Sequence, residues 1–517
     1  MNLSMTSSLH LCILADFGTD SQIRTSLSCL RPYPNVALTL VRSNGLRSIS
    51  GLKRFIERHF GNFVSVVDTK TIGKFGVRCA ESDDSSCFVF LPGGDWLSDN
   101  ALEKIAAAIC GKGAEIVYTD QDLINDKDHL EQPQFKSEPC YEYLSHCDYI
   151  GDLLCIRKST LAQFSGIGLA DYHSERYALL LRAFSDCRQI EHIAEPIYHA
   201  RARTDVRDLT PVLRDHFREQ NPPVEVLPVG DNVHRVIRQI HGQPKVTILV
   251  PFKDKPGLLR QCLRSILDNT NYPNYEILGI SNRSQSVSVF EIMEEFCNLD
   301  GRIRFIEHNI TFNFSALVNH GVGRALGEYI VLMNNDITVI GPEWLGAMLQ
   351  HGQRKEVGVV GAKLLYPNGT VQHAGLSIQQ SGHIGHLHKH YPADSRGYMN
   401  RLICAQRVSA VTAALCLFKK ELHRELNGFD EERFELAFND VDFCLRAESL
   451  GYSNIFTPYA LACHHESLSR GYEITASQRS RFEREYTAFL ELHHQRLAQP
   501  DPCYNPNFDQ YRDDFSY

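Results

Sequence analysis

A short apolar segment in the second half of the chain constrains the fold more than any other part of this sequence. Residues 329–333 read Tyr-Ile-Val-Leu-Met without alternation, the pattern of a strand covered on both faces inside a parallel sheet. The run then breaks into Asn334, Asn335 and Asp336. Ligands bind outside the carboxyl ends of strands in open α/β sheets, and oxygen ligands suit Mg²⁺ or Mn²⁺. The segment therefore predicts either a cation site at a sheet edge or an ordinary Asx turn.

The composition is that of a globular chain with more than one domain, because 517 residues are too many for a single core. The net charge of −9 argues against a nucleic-acid partner. The 16 cysteines include no CxxC pair, so we expect reduced thiols. No secretory signal is recognisable, and residues 408–418, the longest apolar stretch, are too short to span a membrane. We expect a cytoplasmic location, compatible with the inner face of the plasma membrane.

One order of segments occurs twice in the chain. A strand-like segment, a polar break, a helical stretch, Tyr-Pro-Asn, a second strand-like segment and Ser-Asn follow one another in residues 11–44 and again in residues 246–282. Two copies of one βαβ unit predict two related domains. The alternative is a chance match, because the copies agree weakly residue by residue. A Pro-Pro pair at 222–223 marks a boundary, and residues 224–237 would form a hairpin in the linker.

The second copy shows the clearer pattern. Asp254 is expected to cap a helix that starts near Pro256. Three strands of this copy end in polar residues, and right-handed crossovers would bring those ends onto one edge of the sheet. Farther on, Asn368-Gly369 predicts the turn of a hairpin. A loop rich in histidine follows at residues 383–390.

These segments together resemble the family 2 glycosyltransferases, which have the GT-A fold, and in particular bacterial enzymes of O-antigen and surface-polysaccharide assembly, rhamnosyltransferases among them. The resemblance covers residues 244–517 and is carried by residues 246–251, 313–319, 327–336, 357–375, 438–446 and 464–471. It implies an α/β protein with two GT-A-like (Rossmann-like) domains in tandem, the N-terminal one degenerate. The expected domains are a degenerate domain at 1–220, a linker at 221–243, a catalytic domain at 244–485 and a tail at 486–517.

The N-terminal half looks like a degraded copy of the same fold. Aligned on the last acid of the family's Asp-x-Asp motif, Asp95 remains and Gly93 stands in the place of the first acid. Arg176 and Ala178 stand where Asp440 and Asp442 stand in the C-terminal copy. The resemblance therefore implies that the first domain has lost its base and serves a structural or acceptor-handling role.

The resemblance also implies a metal site for Mn²⁺ or Mg²⁺. Asp336 is the first candidate ligand, and Asn334 departs from the usual acid, so oxygens of the donor diphosphate must complete the site. His464 or His465 would be a further ligand. The alternative is that these histidines close the last strand without binding a metal.

Asp440 matches the catalytic base of the family, and Asp442 is its competitor. Because an acid in the first turn of a helix also stabilises the helix dipole, capping is the alternative for both. The histidine loop and the hairpin would face the acceptor, through His373, His386 and His388. A zinc site in that loop is disfavoured, since no cysteine or carboxylate stands at metal spacing.

The nucleotide-sugar donor would lie against the polar ends of the first strands, and a UDP- or dTDP-sugar is favoured. The residues expected to bind it are Pro251, Phe252, Asn282, Asn319 and Asn335, with Asn282 in the place of the usual acid. The resemblance thus implies an inverting, metal-dependent hexosyl- or deoxyhexosyltransferase that extends a glycan or lipid-linked oligosaccharide, with peripheral membrane association as an option. The rival is a non-catalytic scaffold that binds sugar nucleotides in a polysaccharide assembly complex.

Overall fold

The computed structural model describes residues 9–27, 36–42, 52, 54–56, 58, 64–68, 86–164, 171–186, 188–203, 208–220, 223–465 and 475–517. The chain divides into two compact units. The N-terminal unit comprises Met1–Glu219 and Val226–Arg235, and the C-terminal unit comprises Gln220–Glu225 and Val236–Tyr517. The two strands β10 (Val224–Gly230) and β11 (Val233–Arg238) pair as a hairpin at the transition.

The N-terminal unit is a mixed α/β structure. Its strands are β1 Leu9–Leu14, β2 Ala37–Arg42, β3 Val64–Asp68, β4 Cys87–Pro92, β5 Trp96–Leu97, β6 Ile116–Ile124, β7 Leu130–Gln134, β8 Leu154–Arg157 and β9 Ile190–Arg201. Its helices are α1 Asp20–Ser26, α2 Ala101–Ala106, α3 Tyr141–His146, α4 Lys158–Gln163, α5 Tyr172–Ser185 and α6 Thr210–His216.

The C-terminal unit is also mixed α/β. Its strands are β12 Val246–Phe252, β13 Tyr275–Ser281, β14 Ile303–Glu307, β15 Tyr329–Met333, β16 Ile337–Ile340, β17 Val357–Leu365, β18 Val371–His373, β19 Leu376–Ile378, β20 Ile384–His386, β21 Gln406–Val408, β22 Leu415–Lys419 and β23 Ser453–His464. Its helices are α7 Pro256–Asp268, α8 Val287–Leu299, α9 Phe314–Arg324, α10 Trp344–Gly352, α11 Lys420–Glu425, α12 Asn439–Ser449, α13 Ala476–Leu492 and α14 His494–Leu497.

The two main sheets have the same strand order. It is β3-β2-β1-β4-β8-β6-β9-β5 in the N-terminal unit and β14-β13-β12-β15-β22-β17-β23-β16 in the C-terminal unit. The directions also agree: the first four strands are parallel, the fifth runs against them, and the last strand pairs antiparallel with its neighbour. Asp95 lies between the end of β4 and the first residue of the short strand β5, and Asp336 lies between the end of β15 and the first residue of the short strand β16. The two acids therefore occupy equivalent positions in the two sheets.

Strand β15 lies at the centre of the C-terminal unit, as its unbroken apolar run predicts. Residues Ile330 to Met333 are fully buried, with β12 on one side and β22 on the other. Burying one such side chain contributes about 1.5–3 kcal/mol. The hairpin predicted at Asn368-Gly369 is confirmed, since β17 and β18 pair there and Gly369 has a φ of +79°.

The expected cap of α7 by Asp254 is wrong. Helix α7 starts after Lys255 without a side-chain cap. Asp254 instead accepts hydrogen bonds from the backbone N–H groups of Gln285 and Ser286, each at 2.8 Å, at the start of α8. A carboxylate satisfies unpaired N–H groups at a helix start equally well from another part of the chain.

The residues after 485 belong to the C-terminal unit, and helix α13 crosses the expected boundary at 485/486. Asp501 accepts hydrogen bonds from the N–H of Ile378 (2.6 Å) and the hydroxyl of Ser409 (2.8 Å). Asp513 forms an ion pair with His383 at 3.0 Å. A Cβ at Gly385 would lie 1.9 Å from the Asp513 carboxyl carbon, so a larger residue there would displace this carboxylate. The final segment therefore anchors the hairpin of β19 and β20.

Among the described residues, no helix combines the length and the apolar character that crossing a bilayer requires. No disulfide joins the cysteines in the same ranges.

Candidate active site

Asp336 follows β15 at the carboxyl edge of the sheet and faces His464, the last residue of β23. The pairing of β16 with β23 places Ile337 opposite His464, and this register brings Asp336 Oδ1 to 3.2 Å from His464 Nε2. The other ring nitrogen of His464 lies 2.8 Å from Gln372 Oε1. Asp336 is 3% exposed. A buried carboxylate beside an imidazole is a donor set that a divalent cation can use.

Asp440, in the first turn of α12, is connected to the carboxyl edge of the sheet by hydrogen bonds to the segment that precedes β22. Its Oδ2 accepts a hydrogen bond from the N–H of Ala413 at 3.0 Å. The next residue, Ala414, accepts one from the N–H of Asn334 at 2.9 Å. The backbone groups of Ala413 and Ala414 therefore connect Asp440 to the segment that carries Asp336.

The electrostatics of Asp440 suit a proton acceptor. Burial raises the pKa of its carboxyl above the ordinary aspartate value, while hydrogen bonds from the N–H groups of Ala413 and Val441 and from the Thr412 side chain oppose the rise. A carboxylate with a raised pKa is a stronger base than an exposed one.

Asp442 is in a different environment from Asp440. It is fully buried, and its carboxylate is paired with Arg446 at 2.7 Å and with His493 at 3.0 Å. Arg446 lies one turn along α12 itself, whereas His493 lies between α13 and α14 and links α12 to the C-terminal helices. Because both carboxylate oxygens of Asp442 are engaged by side chains of the protein, the geometry favours Asp440 over Asp442 as the base.

The three histidines expected on the acceptor side differ in position. His373 and His386 bring their Nδ1 atoms to 2.9 Å, and His373 Nε2 lies 3.4 Å from the N–H of Thr412. Burial, followed by the charges of His386 and His464, lowers the pKa of His373 well below its usual range. His388 is 1% exposed and packs on Tyr391 and Phe515. His373 therefore contacts the segment that holds Asp440, while His388 packs against the final segment of the chain, and the acceptor contacts of the three histidines stay predictions.

The residues expected at the nucleotide end of the cleft are Pro251, Phe252 and Asn282, and all three are buried at the ends of β12 and β13. The N–H of Asn282 donates to the carbonyl of Phe252 at 2.9 Å. In the amide orientation that satisfies its neighbours, the side chain of Asn282 donates to the carbonyl oxygen of Ile310 at 2.9 Å. A carboxylate at position 282 would face carbonyl oxygens and be repelled by them, which explains why an asparagine stands there.

Asn319 does not lie with these residues, and its expected donor contact is corrected. Its Oδ1 accepts from the N–H of Phe429 at 2.8 Å, and its amide donates to the Phe429 carbonyl at 2.8 Å and to Glu431 at 3.0 Å. It borders a cavity that also touches Glu328, before β15, and Lys419, the end of β22. Glu328 and Lys419 mark the edge of the sheet at which the parallel strands begin. Asn319 therefore fixes the loop at Phe429 and Glu431 near that edge, opposite the edge that carries Asp336.

Residues 247–426 match the model of the glycosyl transferase family 2. This part of the chain is a family 2 glycosyltransferase domain.

Two relatives extend the match beyond the family 2 domain. The chain is 34% identical over 525 residues to the uncharacterized protein y4gI of Sinorhizobium fredii, covering 98% of this chain and 55% of that protein. It is 33% identical over 433 residues to the O-antigen biosynthesis protein RfbC of Myxococcus xanthus, covering 81% of this chain and 33% of that protein. The chain thus spans about half of the first relative and a third of the second.

Solved structures give a weaker likeness. The mannosyltransferase PcManGT of Pyrobaculum calidifontis, in complex with GDP-Man and Mn²⁺, is 18% identical over 51% of this chain and 68% of that chain. The TM-score is 0.38, which is too low to carry an argument.

The side chains around Asp336 fit a cation only in part. Across the ranges described above, which leave out 466–474, no three His, Cys, Asp or Glu side chains are arranged to hold a metal. Asp336 and His464 would supply two ligands to a cation, with Asn334 and the buried Asn335 beside them. His465 is not one of them by geometry, since its Nε2 lies 3.3 Å from Gln261 and from Thr338. A bound diphosphate would have to supply the remaining ligands.

Sequence reasoning missed three residues that connect the two acids. Gln372 orients His464, while Thr412 and Ala413 hold Asp440. The run of small residues before Leu415 was the available signal, because a loop that must pass close to two acids has little room for side chains. The segment 466–474, which includes part of the family motif, lies outside the described residues.

Proposed function

We propose that the C-terminal unit, which contains the family 2 domain, is an inverting glycosyltransferase of the GT-A type that moves a hexosyl or deoxyhexosyl group from a UDP- or dTDP-sugar to a growing, lipid-linked surface polysaccharide. The observation that carries the proposal is the connection of Asp336 and Asp440 through two adjacent backbone groups. It holds a cation ligand and a base at one edge of the sheet, where α/β proteins bind ligands.

The residues divide the chemistry between them. Asp440 accepts the proton of the acceptor hydroxyl, whose oxygen attacks the anomeric carbon while the bond from that carbon to the diphosphate oxygen breaks. A positioned base contributes about 10²–10⁴-fold to such a step. Asp336 and His464 would hold Mn²⁺ or Mg²⁺, which supplies electrostatic stabilisation of the leaving diphosphate. The buried His373 accepts hydrogen bonds at Nε2 from the N–H groups of Gly375 and Thr412, so its role is to position the loop beside Asp440.

The acceptor and the location are inferred from the relatives. RfbC is named as an O-antigen biosynthesis protein, and O-antigen is a surface polysaccharide. We therefore place the reaction in the cytoplasm, at the inner face of the plasma membrane, where a lipid-linked acceptor is presented.

The N-terminal unit is, in this proposal, a degenerate GT-A-like copy that no longer performs transfer. The shared strand order and the matched positions of Asp95 and Asp336 support common architecture. Asp95, fully buried, is paired with Arg203 at 2.7 Å. Arg176 on α5 stands in the sequence position of Asp440 and is paired with Asp148. Among the described residues, the counterpart of Asp336 is thus neutralised by Arg203, and a cation stands in the position of the base.

The test is a donor panel of UDP-, dTDP- and GDP-sugars with Mn²⁺ or Mg²⁺, using the full chain. We expect metal-dependent release of one nucleoside diphosphate, lost in Asp440→Asn with the fold intact. A matched control is Asp430→Asn, which changes an acid on the loop before α12. Binding of a donor without turnover, with or without a glycan acceptor, would instead favour the scaffold role, for which Asn282 and Asn334 in place of acids are the supporting features.

A further inference from the structure

The N-terminal unit contains a cavity of about 330 Å³ where an active site would lie if this unit were a transferase. Its wall includes Asp148, Asp152, Arg176, Arg203 and Asn232. The cavity borders the carboxyl end of β9 and the first turns of α5. Its volume lies within the range of ligand pockets.

The chemistry of this cavity excludes a metal and diphosphate site. Asp95, the counterpart of Asp336, accepts a hydrogen bond from Tyr198 at 2.5 Å and one from the N–H of Arg201 at 3.0 Å, besides its ion pair with Arg203. A guanidinium has only donors and stays charged, so it cannot share a metal with the carboxylate. Arg203 thus takes the place of the cation.

The charges on the cavity wall are balanced. Arg203 also pairs with Asp152 at 3.2 Å, and Arg176 pairs with Asp148. Arg201 pairs with Asp128 at 2.7 Å. A free diphosphate would need a surplus of positive charge, because burying an anion without a partner is costly. The wall offers no such surplus, and it offers no unpaired carboxylate for a cationic ligand.

The wall nevertheless presents hydrogen-bonding groups. The Nε of Arg176, a residue that is 2% exposed, has no hydrogen-bond partner among the described residues, and neither has the buried Oδ1 of Asn232. Buried polar atoms are normally paired, so an unpaired donor and an unpaired acceptor on one cavity wall call for a ligand that has both. The guanidinium and carboxylate groups of the ion pairs Arg203–Asp152 and Arg176–Asp148 provide further hydrogen-bond donors and acceptors on the same wall.

We propose that this cavity binds an uncharged oligosaccharide segment, without metal and without turnover. Vicinal hydroxyl groups are donors and acceptors at once, which matches a wall of alternating guanidinium and carboxylate groups. The site is independent of the transfer proposed for the C-terminal unit, and a chain whose Asp336 is replaced retains it.

The test uses saturation-transfer NMR on the full chain carrying Asp336→Ala, with a panel of uncharged oligosaccharides of glucose, galactose, mannose, rhamnose and N-acetylglucosamine. Ala202 lines the cavity and is exposed, so Ala202→Trp fills the site without breaking an ion pair. Ala162 is exposed on α4 and does not line the cavity, so Ala162→Trp is the matched control. Asn232→Gly removes the unpaired acceptor and keeps the positive φ of 52°.

We expect at least one oligosaccharide to bind, with affinity unchanged by EDTA and by Ala162→Trp. Ala202→Trp should weaken binding at least tenfold, and Asn232→Gly at least threefold. Failure of every oligosaccharide to bind would overturn the proposal, as would equal binding in Ala202→Trp. Metal-dependent binding of UDP that Ala202→Trp abolishes would also overturn it, because the cavity would then be a nucleotide site. None of these results depends on whether the C-terminal unit is active.

Discussion

Asp336 and Asp95 occupy the same place in two sheets of the same strand order, and they differ in the group they face. Asp336 lies 3.2 Å from His464, whereas Asp95 lies 2.7 Å from Arg203. A neutral imidazole can share a metal ion with a carboxylate, while a guanidinium can only replace the metal. The comparison teaches that the partner of the retained acid decides whether a metal can share it: an imidazole on the last residue of β23 permits this, and a guanidinium two residues beyond β9 does not.

The largest expected effect is on turnover. Asp336→Asn should lower donor turnover at least about 100-fold, because it removes a ligand of the ion that stabilises the leaving diphosphate. Asp95→Asn should leave turnover within twofold, since its partner is a guanidinium. The measurement is the initial rate of nucleoside diphosphate release at saturating metal. A large loss in Asp95→Asn with native stability would mean that the two acids are not functionally different.

The second effect is on stability and concerns the N-terminal unit. Arg203→Met leaves the fully buried Asp95 without its ion partner, and breaking such a pair costs about 3–5 kcal/mol. The double variant Arg203→Met, Asp95→Asn should recover most of this loss, because no charge remains to be buried. Urea unfolding followed by a probe in the N-terminal unit measures both. If the single variant is as stable as the wild type, Arg203 does not neutralise Asp95.

The third effect is on metal affinity. His464→Asn should raise the Mn²⁺ concentration needed for half-maximal turnover by about 10–100-fold, in line with losses seen when groups around a metal are changed. The maximal rate at high Mn²⁺ should fall less. His199→Asn is the matched control, because His199 holds the corresponding register position on β9, opposite Trp96. An unchanged metal requirement in His464→Asn would remove His464 from the site.

The smallest effect is a pH shift. The pKa of Asp440 is raised by burial, and only the ionised form accepts a proton. Hence kcat/KM should fall as pH decreases through that pKa, with a midpoint above the ordinary aspartate value of about 3.9. Burial raises the pKa of Asp95 as well, yet Asp95→Asn should leave this profile unchanged. An acid limb that moves in Asp95→Asn would show that the N-terminal unit contributes to the reaction.

The sequence predicted those features whose causes are local. The buried strand β15, the polar residues at its end and the turn at Gly369 each depend on a few neighbouring residues. The roles of Asp254 and Asn319 could not be predicted, because each side chain satisfies a backbone segment far along the chain. The same holds for Arg203: the distance of 108 residues to Asp95 hides an ion pair that decides the character of a whole cavity.

The anchoring of the β19–β20 hairpin by Asp501 and Asp513 has a consequence for the synthesis of the protein. A chain leaves the ribosome from its N-terminus and its domains fold as they emerge. All strands of the C-terminal sheet, including the one that carries His464, are made before either anchor. A ribosome stalled just short of residue 501 would thus display a nascent domain that already holds Asp336 and Asp440, with the histidine loop beside them still lacking both of its anchors.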